Sequence, residues 1–247
     1  MSDAAPRELA GGRLALDLPA TGVARLTIAN LSKRNALDHA ILDAIAQTLP
    51  QLDARCVVLT GTERMFSAGY DISDIPDEVF PERAEALVAH PFTAAIEALD
   101  AYPYPTLAAL NGHAIGGGLE LALSCDLRIA ASGVKLGMPP AKLGLIYSHT
   151  GLRNFLDVIG PSRTRELFLL GRNVDAETAE RWGLVNWVAA VDEFEREALS
   201  IATELAGNAP MSLRGNKRVI AELLAAGGKL RDDVEQELIE LRRECFT

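Results

Sequence analysis

The chain has 247 residues, 49% hydrophobic and 23% charged, with a mean hydropathy of +0.11. That is enough to bury a full core without a disulfide or metal staple, and it lies outside the disordered classes. A formal net charge of -10 and a pI near 4.9 exclude a surface that broadly attracts nucleic acid or anionic lipid. An anionic ligand therefore needs local cations, and the candidates are Lys33-Arg34, Lys142 and Lys217-Arg218.

The first residues carry Asp3 and Glu8 and no apolar run, which does not read as a secretory signal. Alternating apolar residues over 13–18 and 23–28 predict two strands joined by a turn at 19–22, a hairpin. Asp38 then caps a predicted helix with Ile41, Leu42, Ile45 and Leu49 on one face, and 56–60 returns to a short β-branched strand. The alternation repeats with a helical region over 82–101, a strand at 106–110, a helix from Gly116 and a strand at 127–131. This order predicts a mostly parallel sheet with crossover helices.

The most apolar stretch, 107–131, is interrupted by Asn111, His113, Glu120, Asp126 and Arg128 and reads as buried core, not as a membrane span. Beyond Gly151 strand signals nearly vanish, and 163–170, 176–182, 194–205, 212–224 and 232–243 carry helical patterning. Residues 1–190 are thus expected to form an α/β core and 191–247 a helical extension packed into the same body. Cys56, Cys125 and Cys245 are widely spaced with no CxxC, as reduced thiols of a cytoplasmic protein would be.

Two segments stand out, Met65-Phe66-Ser67-Ala68-Gly69-Tyr70-Asp71-Ile72 and Asn111-Gly112-His113-Ala114-Ile115-Gly116-Gly117-Gly118-Leu119-Glu120. Each follows a predicted strand, where ligands bind in open α/β sheets. Three glycines ahead of a helix let something approach the first helical NH groups, which suit an anion or an oxygen that becomes negative during reaction. Tight packing of helix on strand explains the same glycines, so both readings stay open. Glu120, on the same helical face as Gly117, is an acid in an otherwise apolar helix: a catalytic carboxylate, or a buried glutamate satisfied by partners. Neither GxGxxG nor GxxxxGK[ST] occurs.

FSAGYDI followed by NGHAIGGGLELALSCDLRIA, with Lys33-Arg34-Asn35-Ala36-Leu37 upstream, closely resembles the crotonase (enoyl-CoA hydratase/isomerase) superfamily over nearly the whole chain. The resemblance implies the crotonase-like (ClpP/crotonase) α/β spiral of ββα units with a C-terminal helical trimerisation region. It implies an acyl-CoA substrate, a homotrimer or dimer of trimers, and no metal or cofactor beyond the coenzyme A of the substrate. It implies an oxyanion hole made by the NH groups of Ala68 and Gly117, with Glu120 as acid/base. Lys33, Asn35, Ala36 and Leu37, together with Ala68, Gly69, Tyr70, Asp71 and Ile72, would lie along the coenzyme A. Asp71 is also expected to fix the turn that presents Ala68. Ile75, Val79, Phe80, Leu87 and Phe92 are candidates for an acyl-pocket wall.

Hydratases of the family place a second glutamate where this chain has Pro140, and proline cannot transfer a proton. The run from Met138 to Tyr147 is similar to crotonase-type decarboxylases, which carry a tyrosine at the place of Tyr147 but a histidine at that of Tyr70. His149, two residues on, could assist. Tyr147 reads either as a catalytic hydroxyl or as an aromatic at the edge of the core. Three functions follow: a hydratase or isomerase working through a thioester enolate, a decarboxylase of a malonyl-type acyl-CoA, and a coenzyme A-binding protein without catalysis.

Overall fold

A computed structural model describes residues 5–71 and 91–225. The predicted hairpin is present as β2 (Leu14–Ala20) and β3 (Val23–Ile28), preceded by β1 (Arg7–Leu9). α1 (His39–Thr48) begins as predicted, with the Asp38 carboxylate accepting the Ile41 NH at 2.9 Å. β4 (Cys56–Thr60), β6 (Thr106–Leu110) and β8 (Leu127–Ala131) supply the parallel centre of a seven-stranded sheet that, with β11 (Trp187–Ala189), has the order β1-β2-β3-β4-β6-β8-β11. Every residue of β4 and β6 is buried, as strands covered on both faces must be, and that explains their continuous apolar runs.

A second sheet has four strands, in the order β10-β9-β7-β5. Its members β5 (Met65–Ser67), β7 (His113–Ile115) and β9 (Lys135–Gly137) run parallel, and β10 (Val174–Asp175) pairs antiparallel with β9. Two of these strands, β5 and β7, lie inside the segments that the sequence singled out, where no strand was expected. Between the sheets runs α3 (Gly117–Leu123), preceded along the chain by α2 (Thr93–Ala101) and buried at all seven of its residues.

The later chain departs from its sequence pattern. α4 (Pro140–Leu143) leads to α5 (His149–Leu170), one element broken at Gly160 (φ 69°, ψ 172°) just before Pro161. α6 (Ala176–Trp182) follows, and then β11 (Trp187–Ala189), an unforeseen strand that joins β8 in parallel. α7 (Phe194–Gly207) buries Phe194, Ala198, Ala202 and Ala206 against the main sheet, and α8 (Pro210–Ala225) follows it. The predicted helix at 232–243, the first part of that at 82–101, and Cys245 lie outside the described residues. Cys56 and Cys125 are buried thiols.

Two cations serve the fold. Lys217 on α8 donates to Asp126 (2.7 Å) and to the Tyr104 carbonyl (3.2 Å), so it docks the helix instead of waiting for an anionic ligand. Arg128, 5% exposed, donates through Nε to the Leu184 carbonyl (2.8 Å) and through Nη1 to that of Cys125 (2.7 Å), just past the C-terminus of α3. Burial lowers its pKa, so the site tolerates the charge through these acceptors and the helix dipole. Arg128→Leu leaves both carbonyls buried without donors. A loss of about 3 kcal/mol in unfolding free energy is expected, read as a lower urea midpoint at unchanged slope. A loss below about 1 kcal/mol would show that water or backbone movement replaces the guanidinium.

Candidate active site

The site is built where the two sheets meet. β5 ends at Ser67, whose hydroxyl accepts the Gly69 NH (3.1 Å) and so tightens the turn that follows. Gly69 is left-handed (φ 95°), and a Cβ there would stand 2.8 Å from the Ile115 carbonyl. On the far side the chain is gripped by the segment after β3. The Leu37 NH donates to the Gly69 carbonyl (2.7 Å) and the Asp71 NH donates to that of Leu37 (2.9 Å), a parallel bridge centred on Leu37 and Tyr70. In such a bridge the central residue turns its own NH away from the partner strand. Tyr70 therefore directs its NH to the side where β7 runs into α3.

Of the two expected donors, Gly117 is the first residue of α3, and its NH has no intrahelical acceptor. Ala68 is placed differently from expectation, because its NH donates to the Arg34 carbonyl at 3.1 Å. That bond holds it on the bridge side of the loop, facing away from Gly117, and Tyr70 takes the facing position.

Two of the three glycines serve packing, and the third serves the turn into the helix. Gly116 adopts φ 56°, ψ -127°, a region that disfavours any side chain. A Cβ on Gly117 would reach 2.8 Å from the Tyr70 ring, and one on Gly118 would reach 2.6 Å from the Ser67 carbonyl. The helix N-terminus lies directly on the FSAGY loop.

Glu120 is 2% exposed and carries both phenols on one oxygen: Tyr70 donates to Oε2 at 3.1 Å, and Tyr147 donates to the same atom. Gly151, in the first turn of α5, lies against Oε1 with no room for a Cβ. Burial pushes the Glu120 carboxyl up to about 7, against the opposing pull of the two phenols. Tyr147 is raised well above its ordinary value by burial and by the neighbouring carboxylate, so it stays a neutral donor. Edge-to-face contacts fix the rings, Tyr70 on Phe92 (centroids 4.8 Å apart) and Tyr147 on Phe168 (5.4 Å).

The sequence anticipated Glu120, Tyr147 and Tyr70 individually, but not that both phenols would converge on the carboxylate. Gly151 was not anticipated at all. His149 is the first residue of α5, and the hydrogen bonds to the Glu120 carboxylate come from the phenols. Pro140 is buried at the first position of α4, where its missing NH costs nothing. In the upstream segment Asn35, Ala36 and Leu37 are buried, and Lys33 pairs with Asp71 at 2.8 Å. Phe92 is buried beside Tyr70, whereas Ile72, Ile75, Val79, Phe80 and Leu87 lie outside the described residues. Among the described residues no cluster of His, Cys, Asp or Glu could hold a metal, and no helix is long and apolar enough to cross a membrane.

A twin-sheet α/β body with a glycine-lined helix N-terminus beside a buried carboxylate defines the crotonase fold, and solved structures match it closely. A methylmalonyl-CoA decarboxylase in complex with 2-nitronate-propionyl-CoA superposes with a TM-score of 0.85 at 26% identity, over 95% of this chain and 90% of that one. A monofunctional enoyl CoA isomerase from M. smegmatis gives 0.74 at 32% identity, over 87% and 95%. Among curated proteins, the "Probable enoyl-CoA hydratase echA8" of Mycobacterium tuberculosis is 35% identical over 190 residues, 75% of this chain and 72% of that protein. The sequence profile of the enoyl-CoA hydratase/isomerase family matches residues 19–241. The chain belongs to that family.

Proposed function

We propose that the chain is an acyl-CoA enzyme that stabilises a thioester enolate and moves a single proton with Glu120, shifting a double bond within an enoyl-CoA. The observation that carries this reading is the isolation of the acid: Glu120 is buried, tuned to about 7 and hydrogen-bonded by two phenols, and Pro140 stands where hydratases of the family resembled carry their second acid. A double-bond shift needs one group to take a proton from the α carbon and return it at the γ carbon, whereas hydration must also activate water. The developing negative charge on the thioester oxygen would be held between the NH of Gly117 and that of Tyr70, in place of the Ala68 NH.

In this reading Lys33, Ala36, Leu37, Gly69, Asp71 and Ile72 border the coenzyme A, which enters as part of the substrate. The enzyme works in the cytoplasm as a homotrimer or dimer of trimers. Exposed Leu169, Leu170, Met211 and Ile220 support association between copies.

A second reading is favoured by the Tyr147 hydroxyl on Glu120 and by the likeness to the decarboxylase structure: loss of carbon dioxide from a malonyl-type acyl-CoA, with the same enolate then protonated. The discriminating experiment offers a 3-enoyl-CoA, crotonyl-CoA and methylmalonyl-CoA to wild type and Tyr147→Phe. Isomerisation that survives the substitution within about tenfold supports the first reading. Carbon dioxide release that falls about 100-fold or more in Tyr147→Phe replaces it with the second. Tight binding of all three without product would leave a coenzyme A-binding protein.

A further inference from the structure

Asn35 is 1% exposed, and both polar atoms of its side chain are engaged by protein groups. Nδ2 donates to the Met65 carbonyl (2.7 Å) and to that of Thr62 (3.3 Å), while Oδ1 and the Ile28 carbonyl share the one proton of the Thr62 hydroxyl, each at 3.1 Å. These contacts go to Thr62, in the turn between β4 and β5, and to Met65, the first residue of β5. Asn111 holds the same turn from the opposite side: Oδ1 accepts the Gly61 NH (2.9 Å) and Nδ2 donates to the Glu63 carbonyl (2.9 Å). Gly112 lies on the Arg64 backbone with no room for a Cβ, and the His113 NH donates to the Arg64 carbonyl at 3.1 Å. The two sequence motifs on either side thus converge on one turn.

That turn needs external clamps because the strand it feeds is weakly determined. β5 has three residues and pairs with β7 across a register shift, so its ladder alone does not fix where it ends. Three residues beyond Met65 the same upstream segment takes hold again through backbone, with the Arg34 carbonyl accepting the Ala68 NH and Leu37 bridging Tyr70. Asn35 stands between these grips in the left-handed conformation (φ 56°), its own NH anchored on the Asn30 carbonyl at 2.8 Å. Displacement of its side chain would shift the entry to β5 relative to the upstream segment 34–37 and swing the Tyr70 NH relative to Gly117.

We propose that Asn35 is a positioning residue that aligns the two oxyanion donors, and not a ligand for coenzyme A. This rests on the enolate reading above. Asn35→Gly tests it, since glycine keeps the left-handed backbone and removes only the side-chain bonds. Ile45→Ala, on the buried face of α1, serves as a control for lost stability. Two quantities are read: kcat and KM, and the infrared carbonyl band of a bound, isotope-labelled acyl-CoA, which a working oxyanion hole shifts away from its position in water.

In Asn35→Gly, kcat is expected to fall about 100-fold with KM within about threefold, because donors misplaced by an ångström lose most of their effect on the transition state. The band is expected to return toward its position in water, while Ile45→Ala, at equal or larger loss of Tm, retains both. A rise in KM with kcat and the band unchanged would make Asn35 a coenzyme A residue and overturn the proposal, as would no change in either. Should wild type turn over no acyl-CoA, the enolate reading falls, and the band alone still decides for or against Asn35.

Discussion

Glu120→Gln is expected to lower kcat by about 10²–10⁴-fold with little change in KM, the loss typical of a general acid/base. Glutamine keeps the shape of the side chain and an oxygen for the phenols of Tyr70 and Tyr147, but it cannot take up a proton. The pH profile adds a sign. If Glu120 removes a proton from the α carbon, it must be ionised first, and kcat/KM of wild type rises with pH through about 7. If it donates a proton after decarboxylation, the neutral acid is the working form and activity falls over the same range. Steady-state kinetics from pH 5.5 to 8.5 separate the two, and a kcat within tenfold of wild type in the Gln variant would remove Glu120 from the chemistry under either.

The same shift acts on stability. The carboxyl moves from an ordinary 4.5 to about 7 on folding, so below 4.5 both states are protonated and nothing is lost. Between those values the unfolded chain releases its proton while the folded one keeps it, and stability falls as pH rises, by about 3 kcal/mol once pH exceeds 7. Glu120→Gln lacks this dependence, so its stability relative to wild type should grow by about that amount between pH 4.5 and 8, with every other titrating group cancelling in the difference. A gain in stability alongside lost turnover marks a carboxylate held at a cost for function.

What the sequence made legible follows from how strongly each element is determined locally. β4 and β6 are buried on both faces and wrote themselves as apolar runs, and Asp38 announced α1 through a cap that forms within four residues. The three-residue strands β5, β7 and β9 have no period to display, because they exist through pairing with one another. The first half of α5 was hidden by His149, Thr150 and Gly151, poor helix formers held by the Ser148 cap and the buried Phe155. Glu120 was conspicuous as an acid among apolar neighbours. Its phenols come from 50 residues before and 27 after, and only the packing of α3 under the loop and α5 brings them together. That Ala68 has its NH claimed, which moves the proposed donor to Tyr70, was out of reach for a similar reason. Which NH of a loop faces inward depends on which carbonyl claims its neighbour, and here the claimant is Arg34.

Gly117→Ala is expected to lower kcat by about 10²–10³-fold, as loss of an oxyanion donor does. The protein should fold, because alanine suits the first turn of a helix better than glycine. The new methyl would stand 2.8 Å from the Tyr70 ring, which Phe92 backs edge-on at 4.8 Å, so the ring cannot simply tilt away. Either α3 withdraws its first NH or the loop carries Tyr70 outward, and both moves widen the gap between the donors. The second also takes the phenol off Glu120. Tyr70→Phe separates these effects, because it removes the hydroxyl and leaves the backbone: a loss in Tyr70→Phe well below that in Gly117→Ala assigns the larger share to the donors. Should the two variants lose equally, the phenol governs turnover through Glu120, and the spacing between the NH groups of Gly117 and Tyr70 does not.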